Sequence, residues 1–276
     1  MSGQPEFSFK PELENPALII SWTVDAIGLG EQVTDYLNRE LGNRCFYDIE
    51  PDDYFPLHGV TIENDIIQLP EPRFFAGIKK NIIVFQSPPP MFEWYRFINL
   101  VLETARTYCH VREIYTIDSM VSLVAHTVPR EILGNFSSIE TKNELEGFGL
   151  GSSWNYETPP GQRPTLNSFL LWSAQQKNMR AAALWVPIPF YMVTIGDFEA
   201  QQRVLEFLNR RLNLGMTLAD LDERTRRQNS IIMQACNTVP EIDRLIKKVE
   251  AGDQLSPEES QQLVMEIGKH LADKAA

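Results

Sequence analysis

The chain of 276 residues has room for one large domain, or a domain with an appendage, and its 43% hydrophobic content is that of an ordinary globular protein. A formal charge of -12 repels nucleic-acid phosphates and anionic lipid headgroups, and no basic patch of useful size offsets it. Neither nucleic acid nor a membrane is therefore an expected partner.

Residues 1–16 are polar and carry Pro5, Pro11 and Pro16, so a flexible N-terminal arm is expected there. The arm has no apolar stretch of signal-peptide length, and nowhere do about 18 apolar residues run together, so the protein is expected in the cytoplasm. From Ala17 an apolar run gives way to Asp25-Ala-Ile-Gly-Leu-Gly30 and then to Leu29, Val33, Leu37 and Leu41, which share one helical face. This is a strand, a glycine turn and a helix that Gly42 ends, a unit that can begin a parallel α/β sheet.

Arg44 to Ile49 alternates as a strand, and Val60–Ile62 and Ile66–Leu69 flank the turn Glu63-Asn64-Asp65 as a hairpin. Arg73 to Phe75 and Asn81 to Phe85 read as further strands, the second suited to a sheet interior and stopped by Pro88-Pro89-Pro90. Met91, Tyr95, Ile98, Leu102 and Ala105 predict an amphipathic helix over residues 91–108, and Val111 to Ile117 supplies the next parallel strand. Residues 119–164 are rich in Gly, Ser and Pro, with a short helix expected near Met120 to Ala125 and a flexible Gly147–Gly151 segment.

A helix is predicted over Thr165 to Asn178, followed by an interior strand, Ala181 to Val186, that Pro187-Ile-Pro189 interrupts. Asp197 caps a helix reaching Leu212, with Val204, Leu205, Leu208 and Leu212 facing inward. Beyond Gly215 there are three helices and no strand signal. The last opens with Ser256-Pro257-Glu258-Glu259, an N-cap serine, an N1 proline and a capping-box glutamate, and buries Leu263, Ile267 and Leu271. The expected organisation is an arm over 1–16, an α/β domain over 17–215 and a helical appendage over 216–276.

No residue set specifies a reaction. Gly28-Leu29-Gly30 resembles the start of a dinucleotide fingerprint, but Val33 stands where the last glycine belongs, and no Gly-Lys-Ser/Thr follows. Asp25, Gly28, Gly30, Gln86, Ser87, Asp118 and Ser119 fall at the predicted strand ends and first glycine turn, where an open α/β sheet gathers ligand-contacting loops, and form the candidate ligand site. Turns and helix caps use the same residue types, so a structural role stands beside the binding one. His58, His110, His126 and His270 have no metal or catalytic spacing and read as structural or surface residues, and no catalytic residue, metal site or cofactor is expected. Cys45, Cys109 and Cys236 are too far apart for a zinc spacing or a disulfide framework and are expected to be buried and reduced. Arg224, Arg226 and Arg227 are expected to pair with Asp220 and Glu223 on their own helix. Aromatic residues crowd Phe92 to Phe97 and Trp185 to Tyr191, and any left exposed would mark an oligomer or partner surface.

The order of these features resembles the PAC2 family, the proteasome assembly chaperone 2 superfamily, over residues 14–235. The carriers are Asn15-Pro16-Ala-Leu-Ile-Ile leading to Gly28-Leu29-Gly30 and Asp35-Tyr36-Leu37, then Phe55-Pro56 with the hairpin. Leu69-Pro70-Glu71-Pro72-Arg73-Phe74-Phe75, the Asn81 to Phe85 strand and the helix over 217–232 complete the set. The resemblance implies a three-layer α/β/α sandwich similar to the nucleoside phosphorylase fold, usually without its catalytic residues, and a tendency to form homo-oligomers. It also implies a protein partner and a role as an assembly chaperone or proteasome-related factor. Archaeal relatives dock through a C-terminal hydrophobic-Tyr-any tripeptide, whereas this sequence ends Lys274-Ala275-Ala276, so that mode of docking is not implied. The alternative is a phosphorylase-like protein or enzyme that binds a nucleoside or small anion at the candidate ligand site.

Overall fold

The computed structural model describes residues 7–55, 61–63, 65–151 and 157–275. Met1–Glu6, Pro56, His58, Val60, Asn64 and Ala276 therefore lie outside the described residues. A mixed seven-stranded sheet carries helices on both sides, the expected α/β fold. Its strands are β1 (Ala17–Trp22), β2 (Arg44–Asp48), β5 (Arg73–Ala76), β6 (Ile82–Ser87), β7 (Glu113–Ser122), β8 (Leu133–Phe136) and β9 (Arg180–Pro189). They lie in the order β2-β5-β6-β1-β7-β9-β8, and β3 (Thr61–Glu63) pairs with β4 (Ile66–Gln68) as a separate two-stranded hairpin. β1 is parallel to both β6 and β7, whereas β5 is antiparallel to β2 and β6. Every residue of β1 is buried, which is why its sequence shows an apolar run broken only by Ser21 rather than alternation.

By chain contacts the protein divides into two compact units. The first comprises Met1–Val24, Gly30–Asp118 and Gly134–Leu184. Here α1 (Leu29–Leu41) buries Val33, Leu37 and Leu41, and Gly42 follows at φ 67°, a conformation that favours glycine. The core carries a run of rings, with Phe74 and Phe85 centred 4.5 Å apart and Phe46, Trp22 and Phe97 further along. Over its described residues the N-terminal arm is bonded to the first unit. Ser8 N donates to Phe46 O at 2.9 Å, Phe7 packs against Phe46 and Tyr47, and Glu14 N donates to Asn81 Oδ1 at 3.0 Å.

Three expectations are corrected in this unit and at its strand ends. The second helix, α2 (Trp94–Glu103), starts later than predicted, because Met91 N and Phe92 N donate to Tyr54 O and Glu93 sits at φ 50°. Its buried stripe is Phe97, Ile98, Val101 and Leu102, leaving Met91 and Tyr95 exposed, and one π turn, Thr104–Tyr108, finishes it. β7 runs on through Met120-Val121-Ser122, so the helix expected near Met120 to Ala125 is absent, and β9 continues through Pro187 and Pro189. Two elements went unpredicted, β8 and the short helix α3 (Ile139–Leu145), while a 3₁₀ turn, Glu146–Phe148, overlaps the start of the Gly147–Gly151 segment. α4 (Leu166–Gln176) opens as predicted, with Thr165 Oγ1 accepting from Ser168 N at 3.1 Å.

The second unit comprises Asp25–Leu29, Ser119–Leu133 and Trp185–Ala276. It holds α5 (Phe198–Leu212), α6 (Ala219–Thr238), α7 (Pro240–Glu250) and α8 (Pro257–Ala275). α5 and α6 pack together, and α8 packs on α6, α7 and the 3₁₀ turn at Phe190–Met192. The capping box at α8 forms as read, with Glu259 N donating to Ser256 Oγ at 3.2 Å and Ser256 N to Glu259 Oε2 at 3.1 Å. Hydrogen bonds from Lys248, the Ser256 backbone and Arg244 hold the Glu259 carboxyl down at about 2. Arg224 lies over the Phe198 ring and Arg226 donates to Asp222 O, so these two use partners other than the acids expected. No described helix is long and apolar enough to cross a membrane.

Candidate functional site

Helix α1 begins at a turn whose carboxylate belongs to the chain itself. In the second unit, Asp25 Oδ1 accepts from Ile27 N at 2.9 Å, from Leu29 N at 3.0 Å and from Ser119 Oγ at 2.7 Å. Gly28 stands between these donors at φ 67° and makes the turn possible. The first free N–H of the helix, that of Leu29, is thus engaged by a side-chain anion four residues away. The structure brings Asp25, Gly28 and Ser119 together, in a cap.

The remaining candidates belong to the first unit and fall into separate groups. Gln86 Nε2 donates to Thr34 Oγ1 at 2.8 Å and to Asp35 Oδ1 at 2.7 Å, while the Thr34 hydroxyl donates to Gly30 O at 2.8 Å. Ser87 is fully buried and its hydroxyl donates to Pro88 O at 2.7 Å. Asp118 Oδ2 accepts from Asn167 Nδ2 at 3.0 Å, and Asn167 Oδ1 accepts from Trp22 Nε1 at 2.7 Å. Gln86, Ser87, Asp118 and Ser119 lie within β6 and β7, not beyond their ends, because both strands extend further than their apolar runs. Sequence reasoning missed Asn167, a polar residue on the buried face of α4 between Leu166 and Leu170, a position that calls for a hydrogen-bond partner.

An open groove of about 730 Å³ lies in the second unit. Thr127, Gln202, Asn229, Met233, Cys236 and Lys247 contribute to its wall. A buried polar network supports it. Tyr191 Oη accepts from His126 N at 2.6 Å and lies 2.9 Å from His126 Nδ1, the arrangement of a neutral imidazole accepting the phenol proton. Burial, and then the neighbouring Arg130 cation, push the His126 pKa down, and burial pushes that of Tyr191 up. Arg130 Nε meets Asp197 Oδ2 at 2.6 Å, and Arg130 Nη1 donates to Val128 O at 2.6 Å. Groove-lining charges also pair locally, Lys247 with Asp243 at 2.7 Å and Arg203 with Glu206 at 3.0 Å. The Cys236 thiol is pushed up by burial and by Asp243, which disfavours the thiolate a nucleophile needs. All three cysteines are free, with Cys109 buried and Cys45 and Cys236 only partly so. Among the described residues no group of three His, Cys, Asp or Glu is placed to hold a metal ion.

The first unit presents an aromatic face instead. Phe92, Tyr95 and Trp172 are each about half exposed or more, and Trp172 stacks on Phe169 at 5.7 Å. Phe169 in turn lies 6.4 Å from Trp94, over which the Arg163 guanidinium sits. α2 and α4 are in contact, with Trp94 and Phe169 the ring pair between them, and each helix or its flank carries exposed aromatic residues.

A family model described as the PAC2 family matches residues 24–235. A comparison with curated proteins found no match. Among solved structures, a protein of unknown function from Corynebacterium glutamicum aligns with a TM-score of 0.74 at 17% identity, over 97% of this chain and 98% of that one. A proteasome-assembly chaperone homologue from Mycobacterium tuberculosis aligns at 0.67 and 16% identity, over 79% of this chain and 94% of the other. PbaB of Pyrococcus furiosus, an archaeal proteasome activator, aligns at 0.64 and 19% identity, over 83% and 96%. At such identities the likeness is one of fold.

Proposed function

This chain belongs to the PAC2 family, and we propose that it is a self-associating, protein-binding assembly factor of the cytoplasm rather than an enzyme. The observation that carries this reading is the exposed aromatic face of α2 and α4. Aromatic side chains bury a large area for little lost rotamer freedom, and they are enriched at the cores of protein interfaces. The candidate ligand residues support the same reading from the other side, since Asp25, Gly30, Gln86, Ser87, Asp118 and Ser119 each take part in a bond within the fold and Gly28 makes a turn. The fold's likeness to a proteasome-assembly chaperone homologue and to a proteasome activator makes proteasome subunits the first partner class to test.

Two measurements test the proposal. Light scattering across a concentration series is expected to give a mass above the 31.6 kDa of one chain. Binding of purified proteasome subunits from the native host is expected to weaken at least tenfold in a Tyr95→Ala, Trp172→Ala variant, as for aromatic anchors at other interfaces. A strict monomer that binds no subunit would remove the reading.

A further inference from the structure

We propose that the β3–β4 hairpin of one copy docks on the aromatic α2/α4 face of a second copy, which rests on the self-association proposed above and names the surfaces that make it. Ile62 and Ile67 are directly opposed in the hairpin register and so share one face, where they are 72% and 67% exposed. Ile66 is exposed on the opposite face and Leu69 just beyond the strand. A two-stranded hairpin is marginally stable alone, and this one presents apolar side chains from both faces to water.

Charge selects its occupant. The hairpin, residues 61–68, has two carboxylates, Glu63 and Asp65, and no lysine or arginine, while on its flanks Asp48 and Glu71 pair with Arg73 and Asp53 pairs with Arg96. The α2 and α4 segments with their flanks, residues 92–108 and 163–177, have four cations, Arg96, Arg106, Arg163 and Lys177, against Glu93 and Glu103; Arg96 pairs with Asp53 and Lys177 with Glu103 within the chain, so the charge open to a second copy is that of Arg106 and Arg163 against Glu93. In a chain of net charge -12, the aromatic face is thus a locally basic apolar surface, and the hairpin is an acidic apolar arm. Pairing arm with face brings opposite charges and two apolar surfaces together, whereas pairing arm with arm sets carboxylates against carboxylates. The contact joins two different patches, so copies associate reciprocally or in a ring.

The test uses the full chain and complementing variants. An Ile62→Ser, Ile67→Ser variant loses the arm, and a Tyr95→Ala, Trp172→Ala variant loses the face. All four positions are exposed, and far-UV circular dichroism checks that both variants keep the fold. Each variant alone is expected to dissociate at least tenfold more readily than wild type by light scattering. An equimolar mixture is expected to recover association, because one partner keeps an intact face and the other an intact arm. Raised salt is expected to weaken wild-type association. An oligomeric wild type whose mass is unaffected by the arm variant, or a mixture that recovers nothing, overturns the docking while leaving self-association standing. A monomeric wild type overturns both. A monomer that loses binding of a proteasome subunit only in the arm variant assigns the hairpin to that partner and overturns the docking as stated.

Discussion

Asp197 does two jobs with its two oxygens, and replacing it separates them. Oδ1 accepts from Ala200 N at 3.1 Å and caps α5, while Oδ2 meets Arg130 Nε at 2.6 Å in a pair whose side chains are 2% and 0% exposed. In Asp197→Ala, loss of the cap costs about 1 kcal/mol. The larger cost is a guanidinium left buried without its counter-charge, about 3–5 kcal/mol when one partner of a buried pair is removed. Glu199 Oε2, 3.9 Å from Arg130 Nη1, takes over part of that charge, which places the sum at about 3–4 kcal/mol. Amide hydrogen exchange in α5 reads this directly, and at about 1.4 kcal/mol per tenfold the exchange should quicken by two to three orders of magnitude. Asp197→Ser combined with Arg130→Met keeps a cap and removes both charges, so it should recover most of the protection. Acceleration of tenfold or less in Asp197→Ala would show that only the cap had been lost and would refute the account of Arg130 as a buried cation dependent on Asp197.

The His126 imidazole has its pKa held below the ordinary 6.5 by burial and by Arg130, so near and below pH 6.5 the unfolded chain binds a proton that the folded chain resists. Stability is therefore full above that pH and falls as pH drops toward the folded value. A melting series from pH 7.5 to 5.5 should show the decline, and it should flatten in His126→Asn. Inorganic phosphate and nucleosides at millimolar concentration should leave the melting temperature unchanged, because the Asp25 carboxylate already accepts from Leu29 N at the start of α1 and sets a negative charge there. A ligand at about 100 times its dissociation constant would add about 2.7 kcal/mol, so a reproducible rise would restore the phosphorylase-like reading.

The parts of the fold that were legible in the sequence are those written by near neighbours. The buried face of α1, the Asp197 cap and the Ser256–Glu259 box each depend on residues three or four positions apart, and all form as read. The Ser138 cap of α3 was equally local, with Thr141 N donating to Ser138 Oγ, and could have been found the same way. Strand ends were not legible, since lateral pairing, rather than local composition, decides where an extended segment stops. β7 therefore outruns its apolar stretch, and β9 carries two prolines.

The sequence by itself determined the fold class, the family and the absence of a complete cofactor motif, because apolar periodicity, caps and a missing glycine are all local facts. Only the tertiary structure decided what the candidate residues do. Trp22 meets Asn167 across 145 positions and Arg130 meets Asp197 across 67, distances over which no spacing rule reaches. Tertiary packing also chose, among aromatic residues of similar composition, to bury Phe97 and leave Tyr95 and Trp172 in solvent. Burial depends on which helix face meets the sheet, and the backbone at Tyr54, Met91 and Glu93 sets that face by fixing where α2 begins.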